Sequence, residues 1–157
     1  MSAKRSRCNG GFSLLELVIV VVIIGIIAAI AIPRLSRGSA GATDSALSGN
    51  LAVLRNAVDL FSAEHGGKFP TLADIDGQLT GYTDAAGVVG AKDATHIYGP
   101  YVRKIPPTPV GPEKGRIGFT DTPGTAGKGW VYTEATGEVK VNTTTEKDDA
   151  DKLYSSY

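Results

Sequence analysis

At 157 residues, the chain has room for one small domain once any apolar terminal segment is set aside. Its 16 lysines and arginines balance 16 aspartates and glutamates, so the overall charge gives no basis for direct binding of nucleic acid or of an acidic substrate. The single cysteine, Cys8, excludes an intrachain disulfide and a cysteine-built zinc site.

Residues 1–11 form a basic leader carrying Lys4, Arg5 and Arg7, with no acid before Glu16. Removing it leaves the acidic residues in slight excess. No apolar stretch precedes Cys8, so a lipid-anchor reading of that cysteine fails, and it would be discarded with the leader. Residues 12–32 are apolar except for Ser13, Glu16 and Gly25. As a helix they reach about 31 Å at ~1.5 Å per residue, which matches a hydrocarbon core of about 30 Å. The basic flank orients such a span with its N-terminus in the cytoplasm.

Pro33 and Arg34 close the apolar run, and residues 34–45 are rich in Ser, Gly and Ala, which weakens helix propensity. Leu47, Leu51, Leu54, Val58 and Phe61 then recur at alternating spacings of four and three, the pattern of an amphipathic helix with one apolar stripe. Gly66, Gly67 and Pro70 supply a stop near His65. The pattern predicts one long helix over about 12–65, bent or loosened near Pro33: residues 12–33 as its membrane or filament-core half, 34–65 as its amphipathic half.

Residues 66–115 are rich in glycine and proline and lack a sustained period, which predicts a long connection with one short helix starting after Thr71. Period two follows: Ile117 with Phe119, Trp130 with Tyr132, and Val139 with Val141. Glu134-Ala135-Thr136-Gly137 suits a hairpin turn between the last two runs. A small antiparallel sheet needs its apolar face covered, and the Leu47-to-Phe61 stripe is the available cover. The expected fold is therefore α+β, a long helix packed on a small sheet, with 66–142 completing a globular head. Residues 143–157 are expected as a polar, flexible or loosely docked tail.

Glu16 carries the functional question. A charge in a bilayer helix costs roughly 2.5–3.5 kcal/mol on insertion scales, although this one is near enough to the helix start to reach water and favour the N-terminal dipole. Its neighbours add a second reading. A cut between Gly11 and Phe12 would create an amine one helical turn from Glu16, and an amine and a carboxylate in apolar surroundings attract strongly enough to align two subunits.

The segment Gly10-Gly11-Phe12-Ser13-Leu14-Leu15-Glu16 resembles the class III signal of type IV pilins and pseudopilins. The resemblance implies cleavage after Gly11 by a membrane prepilin peptidase, methylation of the Phe12 amine to N-methylphenylalanine, and pairing of Glu16 with a neighbour's amine to set assembly register. Gly25 and Pro33 fall where the family has its helix-loosening glycine and its kink proline. Further along, Tyr98-Gly99-Pro100-Tyr101 with Lys104-Ile105-Pro106, and Gly129-Trp130 with Thr136-Gly137-Glu138, look like segments of the major pseudopilin of type II secretion systems. The absence of a C-terminal disulfide loop sets the chain apart from many type IV pilins. The implied role is a filament subunit of the bacterial inner membrane with its head in the periplasm. The implied partners are copies of itself in a homo-oligomeric filament, minor pseudopilins, an assembly ATPase and a membrane platform protein.

Major pseudopilins often hold calcium in a C-terminal loop. Asp121, Glu134, Asp148, Asp149 and Asp151 are oxygen donors here, but none sits in a spacing that encodes a coordination loop, and a solvated acidic tail explains them. No cofactor is expected, with calcium kept as the alternative. His65 and His96 lie in no catalytic motif; His65 reads as a favourable charge at a helix end or a surface residue. The chain is not expected to be an enzyme. Trp130 in an alternating strand reads as core, and Asn142-Thr143-Thr144 is a weak glycosylation sequon.

Three other functions compete. A type IV pilus pilin for adhesion, motility or DNA uptake would share the same N-terminus. A secreted binding domain with a conventional signal peptide cut after Ala29-Ile30-Ala31 has the basic flank and small residues in its favour, but Glu16 and the length of the apolar run oppose it. A plain single-span membrane protein gives no reason for Gly10-Gly11 or Glu16.

Overall fold

The computed structural model describes residues 13–148 and 150–157, with the backbone alone over 33–40. The chain divides into two units, Met1–Gly38 and Ser39–Tyr157. The expected cleavage residues Gly11 and Phe12, the basic leader and Cys8 lie outside the described residues.

Helix α1, Leu14–Glu64, is assigned without interruption, and both Gly25 and Pro33 lie inside it. In the first unit its side chains form no core: the window Leu14–Ile32 has a mean hydropathy of 3.2 and none of it is buried. A helix that is apolar on every face has no water-facing side and requires a non-aqueous environment or a partner.

The second unit is built on the other part of α1. Leu47, Leu51, Leu54, Val58 and Phe61 are all buried, joined by Ala57, as the four-three spacing requires. Burial of side chains of this kind is worth about 1.5–3 kcal/mol each. The helix stops where the glycines stand: Gly66 adopts φ 65° and the Gly67 amide donates back to the Ser62 carbonyl at 2.8 Å. That six-to-one closure needs a residue with a left-handed backbone just past the helix, which glycine supplies without a Cβ clash.

The connection that follows contains the short helix α2, Ile75–Thr80, three residues later than the Thr71 signal suggests. Residues 71–74 first form a turn closed by the Asp74 amide on the Thr71 carbonyl at 3.1 Å. Strands β1 (Tyr82–Thr83) and β2 (Val89–Gly90) pair antiparallel. The second sheet has the order β3-β4-β5, from Phe119–Thr120, Trp130–Thr133 and Glu138–Val141. Its β4–β5 hairpin is antiparallel and turns over residues 134–137, as the turn composition requires.

The first strand departs from expectation. β3 pairs with β4 in parallel, Phe119 opposite Trp130, and Ile117, expected to share Phe119's inward face, is 53% exposed. A two-residue strand is too short for alternation to fix a face, and the loop of residues 121–129 carries the chain back to the same end of the sheet. Asn142 holds that loop: its Oδ1 accepts from the Gly124 amide at 2.7 Å, and its Nδ2 donates to the carbonyls of Thr125 at 2.7 Å and Lys128 at 2.8 Å.

Helix and sheet meet in one core. Trp130, Tyr132, Val139 and Val141 pack with the α1 stripe, Ile75, Leu79, Ile105, Val110 and Phe119. The polar edges of the large rings are satisfied: Trp130 Nε1 donates to the Pro106 carbonyl at 2.9 Å and the Tyr132 hydroxyl to the Pro70 carbonyl at 2.8 Å. Burial pushes the Tyr132 hydroxyl pKa well above its ordinary value. Arg55, on the flank of α1, donates to the Val139 carbonyl at 3.1 Å, tying helix to hairpin directly.

The tail is docked rather than loose. The Tyr154 hydroxyl donates to Asp44 at 2.8 Å, and Arg55 donates to the Tyr157 carbonyl at 2.6 Å. Asp148 organises the turn between them by accepting from the amides of Ala150 at 2.8 Å and Lys152 at 2.9 Å and from the Tyr157 hydroxyl.

Candidate functional site

The first unit presents one acidic group at the start of an apolar helix. Glu16 stands in the first turn of α1; Ser13 immediately precedes the helix, and the Leu17 amide donates to the Ser13 carbonyl at 3.1 Å. Ser13-Leu14-Leu15-Glu16 thus has the S-x-x-E spacing of a helix start, with a carboxylate favoured by the positive end of the helix dipole. That local role at the helix dipole is a signal the residue pattern already contained. From Leu14 to Ile32 the helix is 19 residues, about 29 Å at ~1.5 Å per residue, enough to cross a hydrocarbon core of about 30 Å. Gly25 lies within this stretch with nothing within 4 Å of where a Cβ would stand. Within the first unit its want of a side chain therefore accommodates no close neighbour.

In the second unit no three of the described acidic residues considered for calcium are brought together. Asp121 accepts from the Thr122 hydroxyl at 2.9 Å, Glu134 from the Leu72 amide at 2.9 Å, and Asp151 pairs with Lys147 at 2.8 Å. Asp148 is committed to the tail turn, and Asp149 lies outside the described residues. Among the described residues no group of three or more His, Cys, Asp or Glu is gathered. The Tyr157 hydroxyl, with the Lys152 and Ala150 amides, holds the Asp148 carboxyl below the usual carboxylate range.

His65 is not the surface residue or simple end charge that its position suggests. It is 4% exposed, and its ring stacks on Phe61 with centroids 3.9 Å apart. Its neighbours on β1 and the following loop are remote in sequence, so helical spacing alone gave no sign of them. His96 is held by Asp93 at 2.9 Å in a surface loop. Asn142, first residue of the sequon, is 1% exposed and has its amide fully engaged, so the folded chain does not offer it for glycosylation. Trp130 is core, as its strand position implies.

The segment Tyr98-Gly99-Pro100-Tyr101 fastens the second unit together. Gly99 has φ 75°, and a Cβ there would lie 2.7 Å from the Gly81 carbonyl oxygen, so both conformation and space require glycine. The amides of Tyr101 and Val102 both donate to the Leu79 carbonyl at 3.0 Å, and the Tyr101 hydroxyl donates to Glu64 at 2.6 Å. Arg103 and Lys104 follow on the surface beside a cleft of about 620 Å³ that Asp76, Ile105 and Ile117 also line. Burial pushes the Asp76 carboxyl pKa up, opposed by the charge of Lys128.

The family model for the prokaryotic N-terminal methylation motif matches residues 6–32. No curated protein and no solved structure matches the chain. The matched stretch includes Gly11, Phe12, Glu16 and Gly25, and it ends where the apolar helix window ends. This part of the chain has the form of a type IV pilin-like prepilin N-terminus, whose motif implies leader processing and filament assembly in general.

Proposed function

We propose that the chain is a structural subunit of a type II secretion pseudopilus, processed by prepilin peptidase and polymerised through its N-terminal helix. The observation that carries the reading is the methylation motif over residues 6–32 standing at the head of a helix that is apolar and unburied from Leu14 to Ile32. Cleavage after Gly11 exposes the Phe12 amine, methylation follows, and Glu16 of one subunit pairs with the amine of the next, strengthened by the low dielectric of packed apolar helices. The apolar surface that the bilayer covers before assembly is covered by other copies afterwards. An assembly ATPase and a membrane platform protein supply the work of extraction, and minor pseudopilins join the filament.

The pseudopilus, rather than an adhesive pilus, is favoured by the Tyr98-to-Pro106 segment and the Gly129-Trp130 region, which resemble the major pseudopilin. The helix-to-head fastening made through Tyr101 supports a structural use of that segment. The head lies in the periplasm and the subunit is not an enzyme. Intact mass and N-terminal sequencing of the membrane-extracted protein test the reading. A chain beginning at Phe12 with about 14 Da added, one methyl group, is the expected result. A start at Ile32 would make it a secreted soluble domain, and an unprocessed start in a cell that has the peptidase would make it a simple membrane anchor. Loss of protein export on deleting the gene separates the pseudopilus from a surface pilus, whose loss would abolish attachment or motility instead.

A further inference from the structure

His65 closes α1 with a ring whose two nitrogens both face carbonyl oxygens. Nδ1 lies 2.8 Å from the Phe61 carbonyl and Nε2 lies 3.0 Å from the Asp84 carbonyl. A neutral imidazole has one N–H to donate, and an imidazolium has two. The third partner resolves the mismatch: the buried Thr83 hydroxyl is 3.1 Å from Nε2, and a hydroxyl can donate or accept. Neither carbonyl depends on the ring alone, because Phe61 also accepts the His65 amide at 3.0 Å and Asp84 accepts the Gly87 amide at 3.0 Å.

We propose that His65 and Thr83 form a proton-responsive hydrogen-bond switch that keeps the end of α1 fastened to the Thr83-Asp84 segment in both charge states of the ring. In the neutral state the proton sits on Nδ1, because the Phe61 carbonyl can only accept, and the Thr83 hydroxyl donates to bare Nε2. In the protonated state Nε2–H donates to the Asp84 carbonyl, and the Thr83 hydroxyl turns its proton away from the ring. The ring itself need not move.

The charged and titratable neighbours are otherwise occupied. The Asp84 carboxylate accepts from the amides of Ala86 and Val88, both at 2.9 Å. It senses His96 only through space. Glu64 is engaged by Tyr101, and Tyr98 meets the ring as a tilted aromatic neighbour at 5.1 Å. Among the described residues no carboxylate bonds to the His65 ring, so carbonyl dipoles accept its charge. A buried histidine without such partners weakens the fold when acid forces it to charge; the exchange of partners at His65 relieves that loss. The inference stands whether or not the chain forms a filament.

The test uses the full-length protein in detergent, with urea unfolding followed by Trp130 fluorescence at about pH 8 and about pH 5. Thr83→Val should lower the folding constant about five-fold or more at the higher pH and distinctly less at the lower one, while Thr83→Ser behaves as wild type at both. Equal losses at the two pH values would reduce Thr83 to a packing role and overturn the proposal. Nitrogen-15 spectra of the wild-type ring provide a readout that needs no variant: a proton on Nδ1 and a bare Nε2 in the neutral form are expected, and the opposite tautomer refutes the switch.

Discussion

Replacing Asn142 by Ala removes three hydrogen bonds from a side chain that is 1% exposed and leaves the Gly124 amide and the Thr125 and Lys128 carbonyls without it. At about 0.5–1.5 kcal/mol for each bond, the expected loss is about 1.5–4.5 kcal/mol. Asn142→Asp separates hydrogen bonding from shape. The acid keeps the oxygen that accepts from Gly124 but turns a second oxygen toward two carbonyls, so at neutral pH it should destabilise more than Ala does. The measurement is urea unfolding of the detergent-solubilised protein, read by Trp130, the chain's one tryptophan and a residue wholly buried beside β5. An Ala variant within about 0.5 kcal/mol of wild type, the range of ordinary surface substitutions, would refute the clasp. An Asp variant no worse than Ala would show that the Thr125 and Lys128 carbonyls do not depend on the two N–H donors of the amide.

Three further outcomes are expected. Glu16→Ala should leave membrane insertion unchanged and reduce pelletable filament, read by fractionation and electron microscopy; normal filament yield would remove its register role. Asp148, Glu146 and Asp84 all have carboxyl pKa values held below the ordinary range, chiefly by the Tyr157 hydroxyl, the Thr143 hydroxyl and the Val88 amide respectively. Their contribution is therefore complete above the unfolded carboxyl pKa and lost as pH falls through the lower folded one. Asp148→Asn should mimic that acid state at neutral pH and raise hydrogen exchange at the Ala150 and Lys152 amides, which unchanged protection would contradict. Reversing the exposed charges Arg103 and Lys104 to Glu should leave the unfolding midpoint in place, since neither belongs to the core. If that surface meets a neighbouring subunit it should also lower filament yield.

What could be read in advance followed from local periodicity. The spacing from Leu47 to Phe61 marks the buried stripe, Gly66 and Gly67 mark its end, and residues 134–137 mark the hairpin, because each signal acts within a few residues. The prepilin-like N-terminus is legible for the same reason: leader, Gly11-Phe12 and Glu16 are adjacent. The parallel placement of β3, the outward turn of Ile117 and the burial of His65 depend on partners beyond the reach of local spacing, such as Trp130 for Phe119 and Thr83 for His65. Two-residue strands have no period, and glycine-rich connections are shaped by side chains such as Asn142 and Tyr101 that reach across the fold. The docked tail belongs to the same class, since Asp44 and Arg55 hold it from the far end of the second unit's sequence.

Arg55 and Val139 are 84 positions apart, and Asp44 and Tyr154 are 110 apart. Contacts of such long range place the second unit among slow-folding topologies, in which distant pieces must be found before any of them is rewarded. Synthesis delivers the Leu47-to-Phe61 stripe long before the hairpin that covers it, so the nascent chain carries bare apolar surface through most of its translation. A chaperone or export partner able to shield one face of a helix until residue 141 has emerged would decide how much of the protein reaches the folded state.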